Sequence, residues 1–339
     1  MLWFQKTIHA FRYFSLKKVL CFLQLKVSYY SYKYLKVRIK PTHPISISIE
    51  PTTACNLACP ECPSGLKKFT RPTGKLSLAL NKNMIDQLYK KLFFVNYYFQ
   101  GEPFLNPDFL QLIEYAHKKK IYTSTSTNAH FINEEMAVKT VKSGLDRLII
   151  SIDGTEQETY EKYRISGKLQ KVIESTEIMV RVKKELKSKT PFLVFQFLAV
   201  KPNEHQIPEI FELGKRLGID EVKIKTAQLY DFENGNPLMP ENQKYSRYVK
   251  QKNGTFKLKG KQGDNCWRMW SGSVLTWDGK VLPCCFDKDA KFTLGDLQSQ
   301  SFHSIWSSAA YNEFRHQVFS NRSQIEICKN CSEGTKVWA

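Results

Sequence analysis

Pro51-Thr-Thr-Ala-Cys55-Asn-Leu-Ala-Cys59-Pro-Glu-Cys62-Pro63 is the stretch on which the reading of this chain turns. Three thiols spaced C-x3-C-x2-C on one short loop can hold three irons of a [4Fe-4S] cube and leave the fourth iron without a local protein ligand. A cluster with an open iron can do chemistry, whereas a closed one mostly carries electrons. Zinc would need a fourth ligand from elsewhere, because no other Cys or His lies within the loop.

Working outward, residues 45 to 226 alternate strand-like and helical runs. The strand candidates are 45–50, 95–100, 121–127, 148–152, 193–200 and 221–226, and helical patterns fall at 82–94, 107–119, 133–142, 170–187 and 206–217. Strands alternating with helices predict a parallel sheet, and right-handed crossovers curl it into a full or partial barrel. The cysteine loop follows the first strand, which places it on the C-terminal rim, where such barrels do their chemistry. Strand alternation sets Arg147, Ser151 and Asp153 on one face and Leu148, Ile150 and Ile152 on the other. By the same argument Gln196, Lys223 and Lys225 project inward as candidate substrate contacts.

With 339 residues, the chain suits one large domain and a smaller one, and 42% apolar content can fill both cores. Eight of its nine cysteines fall in two groups, 55/59/62 and 266/284/285/328/331, which points to metal ligation in a reducing cytoplasm rather than to a disulfide framework. The ninth, Cys21, reads as a small buried hydrophobe.

The net charge of +19 is uneven: nine Lys or Arg lie in residues 1–40, and no acidic residue precedes Glu50. This leader, 1–42, carries aromatics from Trp3, Phe4 and Phe11 through Tyr29, Tyr30, Tyr32 and Tyr34. Its lysines interrupt it too often for a membrane-spanning helix or a signal peptide. It reads as a basic helical segment suited to packing on the main domain, to an anionic membrane surface or, less favourably, to nucleic acid.

Past the barrel region, taken as 43–230, a polar connector covers 231–262 and a small domain 263–335. The latter holds a predicted hairpin at 273–283 around the Asp278-Gly279 turn and a helix at 301–319. Four of its thiols could close either a second cube or a zinc site, and a metal staple suits so thin a core.

On these residues the chain resembles the radical S-adenosylmethionine (radical SAM) superfamily. Gln100-Gly101-Glu102-Pro103, after the second strand, is similar to the family's Gly-Gly-Glu-Pro, with Gln in place of the first Gly. The run from Cys266-Trp267 through Trp277-Asp-Gly, Pro-Cys284-Cys285 and Cys328-x2-Cys331 resembles the SPASM/twitch domains that accompany such enzymes. The resemblance implies an α/β fold: a partial (βα)6 TIM-like barrel, a small α+β SPASM/twitch domain and the basic helical leader.

The resemblance also implies a site. Cys55, Cys59 and Cys62 would hold a [4Fe-4S] cluster whose open iron binds S-adenosylmethionine. Gln100, Gly101, Glu102, Pro103, Ser126, Asn128, Ser151, Asp153 and Arg164 would surround that cofactor. Cys266, Cys284, Cys328 and Cys331 would hold one auxiliary [4Fe-4S] cluster, with Cys285 the alternative to Cys284. No catalytic base is assigned, since Cys285 stands where related maturases have an aspartate, and Asp287 and Asp289 lie further on.

The expected activity is that of a cytoplasmic oxidoreductase, peripheral to a membrane if the leader binds one. It would cleave S-adenosylmethionine reductively and abstract a hydrogen from a peptide or small molecule, in a net two-electron oxidation or a crosslink. The electron donor would be flavodoxin or ferredoxin. Rival readings are a radical enzyme acting on RNA and a non-catalytic zinc or iron-sulfur scaffold or sensor.

Overall fold

The computed structural model describes residues 13–335 and 337; Trp3, Phe4 and Phe11 of the leader lie outside them. Strands β1 (Ser46–Ile49), β2 (Phe94–Asn96), β3 (Tyr122–Thr127), β4 (Arg147–Ser151), β5 (Phe192–Ala199) and β6 (Glu221–Thr226) pair in parallel, each with the next. Ile47, Ile49, Val95, Leu148, Ile150, Leu193, Phe195 and Phe197 are buried in one core with Met84, Leu88, Leu112, Val172, Met179 and Ile210 of the crossover helices. The alternate residues turn to the lumen and are mixed, polar at Ser46, Ser48, Asn96, Ser151 and Gln196 and apolar at Phe94, Ile149 and Val194. β6 is the last strand of the sheet, so the barrel stays open at that edge.

On its other edge β1 pairs in parallel with β9 (Gly272–Leu275), which turns back antiparallel into β10 (Lys280–Leu282), followed by β11 (Gly295–Asp296). Barrel and C-terminal hairpin therefore form one nine-stranded sheet.

Several local expectations shift. β2 ends at Asn96 rather than at 100, because the chain bends toward Gly101, whose φ is +74°. The first crossover helix starts earlier, at Leu78, since the Ser77 side chain accepts from Leu80 N and caps it. After β4 a short helix, Gln157–Tyr163, ends at Arg164, its C-cap. The predicted helix at 301–319 is two helices, Phe302–Ser307 and Ala309–Asn321, broken at extended Ser308, which caps the second. The connector is ordered by a hairpin of β7 (Tyr248–Lys250) and β8 (Phe256–Leu258).

The leader forms a helix, Leu16–Tyr30, capped by Ser15, and a π-turn, Ser31–Leu35. Tyr29 and Tyr32 pack on Trp270 and Phe319, while Cys21 is buried. Beyond the helix His43 stacks on His303 and lies 2.9 Å from Lys91 Nζ. Burial, then the Lys91 charge and His303, hold its pKa down at about 4. The unfolded chain takes up that proton near pH 6.5 and the native one does not. Stability should fall as pH drops from about 6.5 to about 4, and thermal melts of His43→Gln across that window should show a shallower fall.

Candidate functional site

The cysteine loop leaves β1 through Glu50, which is buried and gripped by both arms of the Arg71 guanidinium. Cys62 starts the short helix Pro63–Leu66, and its backbone N–H donates to Cys59 O. Gly65 lies so close to the loop that a Cβ there would stand 2.6 Å from Cys59 N. The loop is therefore folded back on its own helix. Cys59 is buried, Cys55 and Cys62 are partly so, and all three are free thiols. Burial pushes the Cys55 thiol up to about 11; it also raises Cys59, against the pull of Arg164.

The Gly101 turn locks onto this loop. Glu102 N donates to Ala54 O at 2.7 Å, and Gly101 N donates to Ser64 Oγ at 2.9 Å. The Glu102 carboxylate is buried, accepting from Phe104 N, Thr127 Oγ1 and Asn128 N. Its pKa is still raised to about 7, because desolvation outweighs those three donors. Glu102 thus ties the end of β3 to the turn after β2. Pro103 opens the 3-10 turn that follows. Gln100 is buried, its Oε1 4.0 Å from Cys62 Sγ.

Asn128 leads back to the loop, its amide donating to Asn56 Oδ1 at 2.7 Å and lying 4.0 Å from Cys55 Sγ. Ser126 and Ser151 face each other at 3.4 Å. Asp153 is fully buried, with Oδ1 accepting from Leu198 N and Oδ2 paired with Arg164 Nε. That pairing aims Arg164 Nη1 at Cys59 Sγ, 3.8 Å away. The structure thus brings Gln100, Asn128 and Arg164 to within 4.0 Å of the three thiols, and Asp153 sits behind Arg164.

The C-terminal cysteines converge as a second group. Cys284 is raised by burial and feels Cys285, Cys266 and Cys328; Cys285 is also raised by burial, with Arg268 opposing and Cys331 adding to it. Arg322 donates to Cys331 Sγ at 3.3 Å, and Arg268 Nη1 lies 3.9 Å from Cys285 Sγ. Cys284 thus couples electrostatically to Cys266 and Cys328, and Cys285 to Cys331. Asp287 accepts from Lys291 N and Phe292 N, and Asp289 from Thr70 N, so both aspartates are spent on loop structure.

Among the described residues, no three His, Cys, Asp or Glu side chains lie as close as a single metal ion requires. A cube with irons at its corners needs its thiols set further apart than one ion does. Three thiols on one loop, closed in by Gly65 and Gly101, suit a cluster with one uncoordinated iron.

Three contributors escaped the sequence reading. Ser64 Oγ accepts from Gly101 N, and Asn56 Oδ1 from the Asn128 amide. Glu61, inside the cysteine run, accepts from Tyr230 N at 2.9 Å and Asn236 Nδ2 at 3.3 Å, drawing the start of the connector over the loop. Leu57 and Cys59 share a small core there with Tyr163, Val200, Leu229, Met239 and Tyr248.

Between the barrel lumen and the C-terminal cysteines lies a cavity of about 360 Å³. Ser46, Ser48, Asn96 and Tyr98 line its barrel side, and Arg268, Cys284 and Cys285 the other. Cations gather around the lumen. Lys225 is partly buried and its pKa is lowered, first by desolvation and then by Lys223, Arg247, Arg147 and Arg268. Arg147 keeps a buried Nε with no hydrogen-bond partner, and its Nη2 lies 3.5 Å from Glu221.

A family described as the radical SAM superfamily matches residues 49–214, and an iron-sulfur cluster-binding family, SPASM, matches residues 266–332. The PqqA peptide cyclase of Gluconobacter oxydans is 23% identical over 318 residues, covering 88% of this chain and 85% of that protein. Streptococcus suis SuiB bound to S-adenosylmethionine superposes with a TM-score of 0.61 at 16% identity, over 87% of this chain and 73% of that one. BtrN in complex with AdoMet and 2-DOIA superposes at 0.54 and 18%, over 86% and 94%. The structural likenesses establish the shared fold.

Proposed function

From the premise that this chain joins a radical SAM domain to a SPASM domain, we propose that it is an oxidoreductase acting on an anionic peptide or small molecule. The observation that carries the assignment is the interlock of the cysteine loop with the Gly101 turn, through Ala54, Ser64, Glu102 and Asn128. The chemistry supplied by a bound cluster and S-adenosylmethionine is reductive cleavage of the C5′–S bond, yielding a radical that abstracts a substrate hydrogen. Cys55, Cys59 and Cys62 are the ligands this reading assigns to that cluster, and Cys266, Cys328, Cys331 and Cys284 or Cys285 those of an auxiliary one.

The remaining residues position and exclude. Gly101 offers backbone that a polar cofactor group can approach closely. Arg164, oriented by Asp153, presents a fixed cation beside Cys59; Asn128, Ser126 and Ser151 offer hydrogen bonds at the strand ends. Glu61 and the connector shield the loop from water, which a radical reaction requires. An external one-electron donor such as flavodoxin or ferredoxin supplies the reducing equivalent.

The anionic substrate is inferred from charge. Besides its desolvation, Lys225 has its pKa lowered by Lys223, Arg247, Arg147 and Arg268, while Glu221 stands 3.5 Å from Arg147 and 3.7 Å from Lys223. Crowded cations of this kind are stabilised by a bound anion.

Anaerobic reconstitution should load about eight irons per chain, and reduction with S-adenosylmethionine should release 5′-deoxyadenosine. Inorganic pyrophosphate at ten times its Kd should raise the melting temperature by about 2 °C, an effect absent in Lys223→Gln/Lys225→Gln. A reconstituted, reduced chain that makes no 5′-deoxyadenosine sinks the enzyme assignment, while a missing pyrophosphate shift sinks only the charge argument.

A further inference from the structure

The leader helix has two apolar faces, and the barrel and C-terminal domain use only one. Lys18, Cys21, Leu25, Ser28 and Tyr29 point inward and are buried. The opposite face shows Leu16, Leu20, Leu23, Val27, Tyr30 and Tyr34, exposed by 74, 49, 51, 57, 43 and 67%. Their spacing, 4-3-4-3-4, lays them in one straight stripe along the helix. The pattern continues past the helix, where exposed Leu35, Val37 and Ile39 alternate with exposed Lys36, Arg38 and Lys40.

Charge frames the stripe. Lys17 lies along one side, and Lys26 and Lys33 along the other, with no acidic residue before Glu50. The helix is also held firmly: Tyr29 packs on Trp267, and Lys26 Nζ sits 4.1 Å above that ring. A rigid mount presenting an apolar stripe between cations is the arrangement of a helix that lies in a bilayer interface.

We propose that this face docks the protein on an anionic lipid surface. The leucines and Val27 enter the boundary between headgroups and acyl chains, the tyrosines sit at headgroup level, and the exposed Lys17, Lys36, Arg38 and Lys40 meet lipid phosphates. Among the described residues no helix is long and apolar enough to cross a membrane, so the contact is peripheral. A second copy of the chain fits poorly, since helix pairing along the stripe would bring cation against cation with no acidic partner. Nucleic acid would use the cations and leave the aliphatic stripe in water.

The test is co-sedimentation of the full-length chain with phosphatidylcholine vesicles, with and without phosphatidylglycerol. Binding should require phosphatidylglycerol, weaken at higher salt, and fall at least about tenfold in Leu20→Ser/Leu23→Ser, whose melting temperature should match that of the parent because both sites are exposed. Lys36→Gln/Arg38→Gln, which leaves the stripe intact, should also weaken binding. Absence of vesicle binding, or binding that survives Leu20→Ser/Leu23→Ser, overturns the proposal. So does a stripe-dependent dimer, or tRNA binding that the same leucine variant abolishes.

Discussion

Cys59→Ala is expected to lower 5′-deoxyadenosine formation at least about a thousandfold, equivalent to about 4 kcal/mol of barrier, while the chain keeps about four of its eight irons. The residue is buried at the centre of the loop, with Gly65 packed on its backbone and Arg164 directed at its sulfur. Alanine fills that place without a ligand atom, so two thiols remain on the loop. The auxiliary cysteines lie on other elements and should load normally. Iron analysis and product chromatography on the reconstituted variant make the comparison. A variant that retains eight irons and its turnover would remove Cys59 from the site.

The second large effect is expected at Gly101. Its φ of +74° already disfavours a side chain, by about 1–2 kcal/mol. A Cβ would in addition stand 2.2 Å from Thr52 O and 2.8 Å from Ala54 O, both backbone atoms that cannot rotate away. Gly101→Ala must therefore push the turn off the cysteine loop, breaking the Glu102 N to Ala54 O and Gly101 N to Ser64 Oγ bonds. We expect a loss of about 3–5 kcal/mol, a melting temperature lower by about 4–7 °C, and S-adenosylmethionine binding weakened at least about tenfold. Gly254 has a φ of +88° and nothing within 4 Å of the added Cβ. Gly254→Ala should therefore cost only the backbone strain and leave cofactor binding unchanged. Equal effects at both glycines would show that the interlock does not matter.

How much of this was legible in the sequence depended on the range of the interaction. β6 falls where its alternation placed it, since period-two patterning is a local signal. The cysteine loop and the Gly-Glu-Pro turn were readable because each motif is contiguous, and the resemblance supplied their association. Ser64, Asn56 and Glu61 were not, because their partners lie 37, 72 and 169 residues away. The break at Ser308 carried a local capping signal in Ser307-Ser308-Ala309-Ala310, which the run of helical periodicity around it obscured. The parallel pairing of β1 with β9 joins strands more than two hundred residues apart, and nothing in either segment names the other.

That pairing bears on how the molecule can be divided. β1 gives one edge to β2 and the other to β9, register by register from Ser46↔Gly272 to Ile49↔Leu275. Trp277, just beyond β9, donates its backbone N–H to Glu50 and its ring N–H to Pro72 O, at the root of the cysteine loop. Cutting the chain after the barrel would strip one whole side of β1 and leave a row of unpaired peptide groups, an invitation to aggregate. The SPASM domain is thus not a detachable module on a finished barrel; it is the flank that completes the strand from which the cysteine loop grows.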